Sequence, residues 1–195
     1  MEQNRSMASG RRKQLDQSAL ASLVRELDEK GVPAQDFDMR IDIDGTWYHQ
    51  GSPIKREGMV RLFASILTRL ENGEYWLVTP AERGRIQVED TPFVVTSMLT
   101  EGTGQQRQIS FVTNIGEVVP LDREHPLVIR QGARGDEPRP YILIRGGLEA
   151  RLGRSVFYEL ADLAEVDADD QAGIWSHGHL FSLLAGGETQ GVQDG

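Results

Sequence analysis

Residues 39–49, MRIDIDGTWYH, decide how the first part of this 195-residue chain folds. Apolar and polar side chains alternate from Met39 to Ile43, and this alternation is typical of a β-strand. Asp44-Gly45 follows as a tight-turn pair, and residues 46–49 have the composition of a returning strand. The segment therefore predicts a β-hairpin.

Helical patterns lie on both sides of this hairpin. Apolar residues recur at helical spacing from Leu15 to Leu27, before Gly31 ends the pattern. A second stripe predicts a helix from about Ile54 to Leu70. Two strands then follow at residues 75–78 and 85–88. The first half is therefore predicted to run helix, hairpin, helix, hairpin.

The second half is predicted to be rich in short antiparallel strands joined by glycine turns, followed by one helix and a last strand. Six or seven antiparallel strands closed by a helix is the element order of a pleckstrin-homology-like barrel. The strands are predicted at residues 93–99, 108–113, 117–121, 127–130, 141–145, 148–152 and 174–181, and the helix at about 154–165.

These elements predict an α+β protein with two lobes that contain antiparallel sheets. We expect a disordered leader at residues 1–13, an N-terminal α+β lobe at 14–85, a C-terminal pleckstrin-homology-like lobe at 86–185 and a flexible tail at 186–195. Residues 46–76 and 148–175 share the order strand, glycine turn with a basic residue, amphipathic helix, tryptophan-containing strand. This shared order predicts an internal duplication, and ligands often bind where two such units meet.

Composition excludes several classes of function. The formal net charge is -9 and the isoelectric point is about 5.0, which argues against a nucleic-acid polymer as partner. The chain has no cysteine, so disulfides, thiolate metal sites and cysteine nucleophiles are excluded. No early apolar run resembles a signal peptide or membrane span. We therefore expect a cytoplasmic protein without a membrane partner.

No motif indicates a metal, a cofactor or a catalytic group. His177-Gly178-His179 would place two imidazoles on one face of a strand, but a third ligand is missing. The acidic stretches at residues 42–45 and 167–169 lack the spacing of a calcium loop. Gly102-Thr103-Gly104 precedes a strand, whereas a phosphate loop precedes a helix. We therefore predict no metal, no cofactor and, on balance, no catalysis.

Polar residues beside rigid elements form the candidate ligand site. Its arginines could bind a phosphate or carboxylate, or could instead form salt bridges between the lobes, such as Arg56 or Arg154 with Glu89 or Asp90. The predicted ligand-binding residues are Arg56, Thr79, Glu82, Glu89, Asp90, Arg145, Glu149, Arg151, Arg154, Trp175 and Ser176.

Several spaced segments from Asp38 to Phe181 resemble a bacterial family catalogued as domain of unknown function 1285. The resemblance implies a duplicated core, a C-terminal domain similar to pleckstrin-homology folds, a nucleotide-like ligand at the domain interface and a role in signalling. The segments that carry it are Asp38-Met39-Arg40, Asp44 to Tyr48, Gly51 to Ile54, Leu62-Phe63, Leu77 to Pro80, Val88 to Phe93, Arg145 to Leu152 and Trp175-Ser176 with Gly178.

These observations leave three alternative functions. The first is a regulatory or signalling protein that binds a small anionic or nucleotide-like ligand between its lobes. The second is an enzyme whose acid or base groups, among Glu82, Glu89, Asp90 and His177, converge only in space. The third is a protein-interaction adaptor that uses an exposed sheet edge or apolar patch.

Overall fold

The hairpin predicted at residues 39–49 is confirmed in the computed structural model, which describes residues 17–132, 135, 137–166 and 172–183. Strand β1 (Ala34–Ile41) pairs antiparallel with β2 (Trp47–His49), and Ile41 lies opposite Trp47. Asp42 Oδ1 accepts the backbone N–H groups of residues 44 and 46, and Gly45 supplies the positive φ of 76° that the turn requires.

The two helices of the first half differ in how well the sequence predicted them. The first is α1 (Gln17–Glu29), which buries Leu20, Val24 and Leu27 as its stripe predicts. The second, α2 (Glu57–Ser65), is shorter than the predicted 54–70. Residues 67–69 form a strand instead, because Leu67 pairs with a neighbouring strand and is fully buried there. A short apolar run is compatible with either a helix or a strand. Here the pairing of residues 67–69 with a neighbouring strand makes the run a strand.

The first sheet has six strands in the order β3-β2-β1-β6-β5-β4. Its centre is the parallel pair β1 and β6, whereas its remaining pairs are antiparallel. The sheet is therefore mostly antiparallel, as predicted, but its central pair is parallel, which the sequence did not predict. The further strands are β3 (Ser52–Pro53), β4 (Leu67–Arg69), β5 (Tyr75–Val78) and β6 (Arg83–Val88).

The second sheet also has six strands, in the order β10-β11-β12-β7-β8-β9, again with a central parallel pair, β12 and β7. Helix α3 (Arg154–Ala161) follows the sixth strand and is shorter than the predicted 154–165. The strands are β7 (Phe93–Glu101), β8 (Gln108–Thr113), β9 (Val118–Pro120), β10 (Leu127–Gln131), β11 (Pro138–Arg145) and β12 (Leu148–Leu152).

A third, three-stranded sheet completes the C-terminal half. It contains β13 (Glu165–Val166), β14 (Ala172–Ser176) and β15 (His179–Ser182). The single strand predicted at 174–181 is therefore a hairpin, whose turn is His177-Gly178 with φ values of 49° and 75°. The two histidines do not share a strand face, because His177 lies in this turn.

The two six-stranded sheets repeat one topology. If each of strands 1–6 is matched with the strand six positions later, the two sheet orders are the same, including the central parallel pair. The predicted frame of the repeat, residues 46–76 against 148–175, does not follow this match, because β12 and β14 belong to different sheets. The repeating strands are those of residues 34–88 and 93–152. The boundary expected between residues 85 and 86 falls inside β6.

One continuous core joins the two halves. Buried Ile41 and Trp47 from the first sheet belong to the same apolar cluster as Phe93, Phe111 and Ile142 from the second. A smaller cluster packs α1 onto Val78. Burial of these apolar side chains is the main stabilising contribution in a domain of this length. The predicted leader and tail lie outside the described residues.

Candidate functional site

A cleft of about 660 Å³ lies between the two halves. The first half contributes Ile43 and Asp44, which belong to the turn of the first hairpin. The second half supplies the rest of the lining from β11 and the residue that precedes it, from the end of β12 and from the start of α3. The lining residues are Ile43, Asp44, Glu137, Pro138, Arg139, Pro140, Arg151, Leu152, Arg154, Phe157 and Tyr158.

The hairpin turn that forms one wall is held by the second half. Asn114 Nδ2 donates to the carbonyl of Gly45 at 3.1 Å, while Asn114 Oδ1 accepts the N–H of Val94 at 3.1 Å. A Cβ on Gly45 would lie 2.7 Å from Asn114 Nδ2, closer than side chains approach. Arg151 Nη2 also donates to the carbonyl of Ile43 at 2.9 Å. The turn is therefore positioned by two side chains from the other lobe.

Arg151 connects the cleft to a buried carboxylate. Its Nε lies 3.4 Å from Asp90 Oδ2, in an ion pair whose side chains are 14% and 5% exposed. This Nε makes no hydrogen bond with the described residues, although it is buried. The backbone N–H of Arg151 donates to Thr91 Oγ1 at 3.2 Å. Asp90 thus neutralises a cleft arginine from behind, in a geometry that leaves one donor unused.

Tyr141 supports the same carboxylate. Its Oη donates to Asp90 Oδ1 at 3.0 Å and lies 3.2 Å from Oδ2. Burial, then the negative charge of Asp90 and the hydrogen bond to it, raise the pKa of Tyr141 to about 12. The phenol therefore stays protonated and acts as a donor at physiological pH. The guanidinium of Arg130 stacks 3.7 Å from the centroid of the Tyr141 ring.

Arg154 differs from Arg151 in its exposure. It is the first residue of α3 and follows Gly153, which provides no side-chain cap. Its side chain is exposed in the cleft, and no ion pair or hydrogen bond joins it to the described part of the chain. A cation here can meet an anionic group without first losing a partner.

Of the eleven predicted site residues, Arg151 and Arg154 line the cleft, and Asp90 lies directly behind it. Glu89 forms an ion pair with Arg40 at 3.5 Å. The expected salt bridges of Arg56 or Arg154 with Glu89 or Asp90 are therefore wrong, because Arg40 and Arg151 take those two carboxylates.

Two further predicted residues stabilise the contact between the lobes away from the cleft. Arg145 Nη1 contacts both carboxylate oxygens of Glu117, at 2.8 and 2.7 Å, and its Nη2 donates to the carbonyl of Ala64 at 3.0 Å. Glu149 accepts from Arg130 at 2.7 Å and lies 3.6 Å from Arg69. These groups are engaged within the protein, as the salt-bridge alternative predicted.

The remaining predicted residues lie elsewhere. Thr79 Oγ1 accepts the N–H of Glu82 at 3.1 Å within the turn from β5 to β6. Ser176 is fully buried, and its Oγ accepts the N–H of Ile109 at 3.1 Å. Arg56 is an exposed residue at the start of α2. Trp175 lies on β14 opposite Leu180. The structure does not bring these residues to the cleft.

The groups proposed for an enzyme do not converge. Glu82 lies in a turn, Glu89 and Asp90 are paired with arginines, and His177 lies in the turn of the last hairpin. None of them lines the cleft or the second described cavity, which measures about 180 Å³ beside Trp47. Among the described residues, no three acidic or histidine side chains cluster as a metal site would require.

Sequence reasoning missed the residues that form the second wall of the cleft. Glu137, Pro138, Arg139 and Pro140 lie between the strands predicted at residues 127–130 and 141–145, in a segment predicted to be a loop. The signal available was a basic residue between two prolines, at the end of a loop that faces the helix start. Phe157 and Tyr158 lie in the helix predicted at about 154–165 but are not among the predicted ligand-binding residues, although Tyr158 is 60% exposed.

Among the described helices, none has the length and apolar content needed to cross a membrane.

Two family models match this chain, one in each of its two halves. A family model described as "Domain of unknown function (DUF1285), N-terminal domain" matches residues 32–91, and one described as "Protein of unknown function (DUF1285), C-terminal domain" matches residues 92–183. No functionally curated protein matches the chain.

Two solved structures are similar to this chain. A DUF1285 family protein from Silicibacter pomeroyi DSS-3 is 42% identical, with a TM-score of 0.70, and the match covers 77% of this chain and 81% of that one. A DUF1285 family protein from Shewanella baltica OS155 is 26% identical, with a TM-score of 0.51, over 64% of this chain and 90% of that one. Neither name states a ligand or an activity.

Proposed function

Since the chain belongs to the DUF1285 family, whose domain descriptions state no function, we propose that it is a regulatory or signalling protein that binds a small anionic, nucleotide-like ligand in the cleft between its lobes. The observation that carries this proposal is the exposed Arg154 in a cleft of about 660 Å³, whose lining also includes the guanidinium groups of Arg139 and Arg151. The volume is in the range of small-molecule sites.

The lining favours a ligand with more than one chemical character. Arginine guanidinium groups bind phosphate or carboxylate oxygens through parallel N–H donors. Asp44 and Glu137 also line the cleft, and their carboxylates would repel a ligand that is anionic throughout. They suit hydroxyl or amino groups, which donate hydrogen bonds. Phe157 and Tyr158 add aromatic surface. A nucleotide combines these features, since it has a phosphate, a sugar and a flat base.

The position of the cleft supports a regulatory role over catalysis. One wall is the hairpin turn of the first lobe, and Arg151 holds that turn through the carbonyl of Ile43. A ligand that contacts Arg151 would therefore act on the bond that joins the lobes. We include the pleckstrin-homology-like nature of the C-terminal lobe in this proposal, supported by a strand-rich lobe followed by α3, although β7 and β12 pair in parallel.

A thermal-shift screen tests the proposal. The panel contains inorganic phosphate, pyrophosphate, nucleoside mono- and triphosphates, dinucleotides and uncharged nucleosides. A ligand at one hundred times its dissociation constant stabilises the fold by about 2.7 kcal/mol. We expect phosphorylated compounds to raise the melting temperature and uncharged nucleosides to leave it unchanged.

Arg154→Gln is the decisive variant, with Arg56→Gln as its matched control. Both arginines are exposed at the start of a helix, but only Arg154 lines the cleft. Loss of one charge-assisted hydrogen bond should weaken binding by about tenfold or more. If no phosphorylated compound stabilises the protein, or if the two variants weaken binding equally, the proposal is wrong.

A further inference from the structure

A second cavity, of about 180 Å³, lies beside the hairpin turn that borders the cleft. Both lobes line it: the first through β2, the turn before β2 and the start of α2, and the second through the turn between β8 and β9. It shares no lining residue with the cleft, to which the first lobe contributes Ile43 and Asp44. The second cavity is therefore a separate place in which a small molecule can bind.

Trp47 borders the second cavity and has an unused donor. The residue is 1% exposed, and its indole Nε1 is buried without a hydrogen-bond partner in the described part of the chain. Gln17, Arg130 and Arg151 also have one such buried atom, but each of them makes another hydrogen bond. The indole N–H is the only polar group of a tryptophan side chain. Since buried donors are normally paired, this one points to an acceptor that binds in the cavity.

Hydrogen bonds within the fold hold the walls of the second cavity in place. The N–H of Ile54 donates to the carbonyl of Trp47 at 2.7 Å, which brings the start of α2 to the strand that carries the indole. From the second lobe, Asn114 Nδ2 donates to the carbonyl of Gly45 at 3.1 Å. The cavity is therefore preformed, as small-molecule sites usually are.

The charged residues of the lining sum to one positive charge. Lys55 and Arg61 are cationic and Glu57 is anionic, and all three are exposed, so the cavity opens to solvent on their side. Glu57 lies 3.4 Å from Arg61, whereas no ion pair or hydrogen bond joins Lys55 to another described residue. This balance suits a ligand with a single negative charge, because Glu57 would repel a more highly charged one.

Apolar side chains supply much of the remaining wall. Ile54, Val60 and Ile115 are partly buried against the main core, and they line the cavity together with Trp47. A volume of about 180 Å³ has room for roughly six water-sized groups. The cavity therefore fits a short molecule with an apolar end and a charged end.

From these contacts we propose that the second cavity binds a short-chain monocarboxylate. One carboxylate oxygen accepts the N–H of Trp47, and the negative charge pairs with Lys55. The alkyl chain packs on Ile54, Val60 and Ile115. This site is independent of the phosphorylated ligand proposed for the cleft, because the two cavities have different linings.

Binding should be weak and sensitive to salt. A ligand of about six non-hydrogen atoms, such as butyrate, has little total binding free energy, so its dissociation constant should lie in the millimolar to upper micromolar range. Added salt should raise this constant, since Lys55 is exposed and salt screens its charge.

Two-dimensional NMR of the isotope-labelled full chain tests the proposal through the indole N–H signals of its three tryptophans. Trp76→Phe and Trp175→Phe identify the other two signals and leave Trp47 unaltered. The probes are acetate, butyrate, uncharged butyramide and inorganic phosphate. We expect butyrate to shift the Trp47 signal saturably while the other two stay in place. Acetate, which has two fewer methylene groups, should bind about tenfold more weakly, and butyramide should also bind more weakly than butyrate.

Lys55→Gln is the decisive variant, with Arg56→Gln as its matched control. Arg56 is the exposed cation next to Lys55 in the chain, but it does not line the cavity. Lys55→Gln should weaken butyrate binding about two- to fivefold, and Arg56→Gln should leave it unchanged. A Trp47 signal that moves with none of the probes overturns the proposal. So does a shift produced by phosphate alone, or an equal loss of butyrate binding in the two variants.

Discussion

Replacing Tyr141 with phenylalanine tests the buried group behind the cleft. Tyr141 is 1% exposed, and its hydroxyl donates to the Asp90 carboxylate at 3.0 Å. Hydrogen bonds to charged groups contribute about 1.5–3 kcal/mol. The ring itself is retained, so packing changes little. We expect Tyr141→Phe to lower the free energy of unfolding by that amount at about pH 8, below the titration of both states.

The difference in the free energy of unfolding between wild type and Tyr141→Phe should become smaller in strong alkali. Tyrosine in the unfolded chain titrates near pH 10, whereas burial and the charge of Asp90 raise the pKa of Tyr141 to about 12 in the fold. Between these values the unfolded state has lost the proton and the folded state has kept it, so stability falls by about 1.4 kcal/mol per pH unit. The contribution is complete below about pH 10 and is lost as pH rises through about 12. Tyr141→Phe lacks this decline.

Chemical unfolding followed by tryptophan fluorescence, from about pH 8 to pH 11, measures both effects. The gap between wild type and Tyr141→Phe should narrow above about pH 10, by roughly 1.4 kcal/mol at pH 11. Tyr158→Phe is the control, because Tyr158 is exposed and its hydroxyl should not matter. A gap that is constant, or that widens with pH, would refute the assignment of a late-titrating, hydrogen-bonded phenol at this position.

Gly45→Ala should destabilise the fold by about 1–3 kcal/mol from backbone strain alone, and more because its Cβ would lie 2.7 Å from Asn114 Nδ2. Gly51→Ala has the same strain at φ 73° but nothing within 4 Å, so a smaller fall in melting temperature there isolates the contact with Asn114; equal falls would contradict it. Ser176→Ala should lose about 1–3 kcal/mol, because the buried N–H of Ile109 loses its acceptor. Unchanged urea unfolding would show that another acceptor replaces Ser176 Oγ.

Local patterns predicted the local elements well. The alternation at residues 39–43 and the Asp44-Gly45 turn produced the first hairpin, and the stripe ending at Leu27 produced α1, because both depend on contacts between near neighbours. The pattern failed at Leu67, where spacing matched a helix but pairing with Leu77 made a strand. It failed again at His177-Gly178, where two positive φ values turn one predicted strand into a hairpin.

The candidate site was predicted in part. Arg151 and Arg154 were expected to bind a ligand at the contact between the lobes, and both line the cleft. Arg145 and Glu149 were predicted to bind the ligand as well, but the structure engages both of them in ion pairs within the protein. A single sequence cannot separate these outcomes, because an arginine's availability depends on whether a carboxylate from a distant strand lies within about 4 Å of it.

By itself, the sequence determined the α+β class, the acidic and cysteine-free character of the chain, and the near-neighbour hairpins and helices. Only the tertiary structure decided that two six-stranded sheets share one topology, that their central strands run parallel, and that Arg151 reaches Ile43 while Arg154 stays exposed. The physical reason is range. Turn chemistry and side-chain periodicity act over a few residues, whereas strand order, ion pairing and the shape of a cleft depend on contacts between residues far apart in the chain.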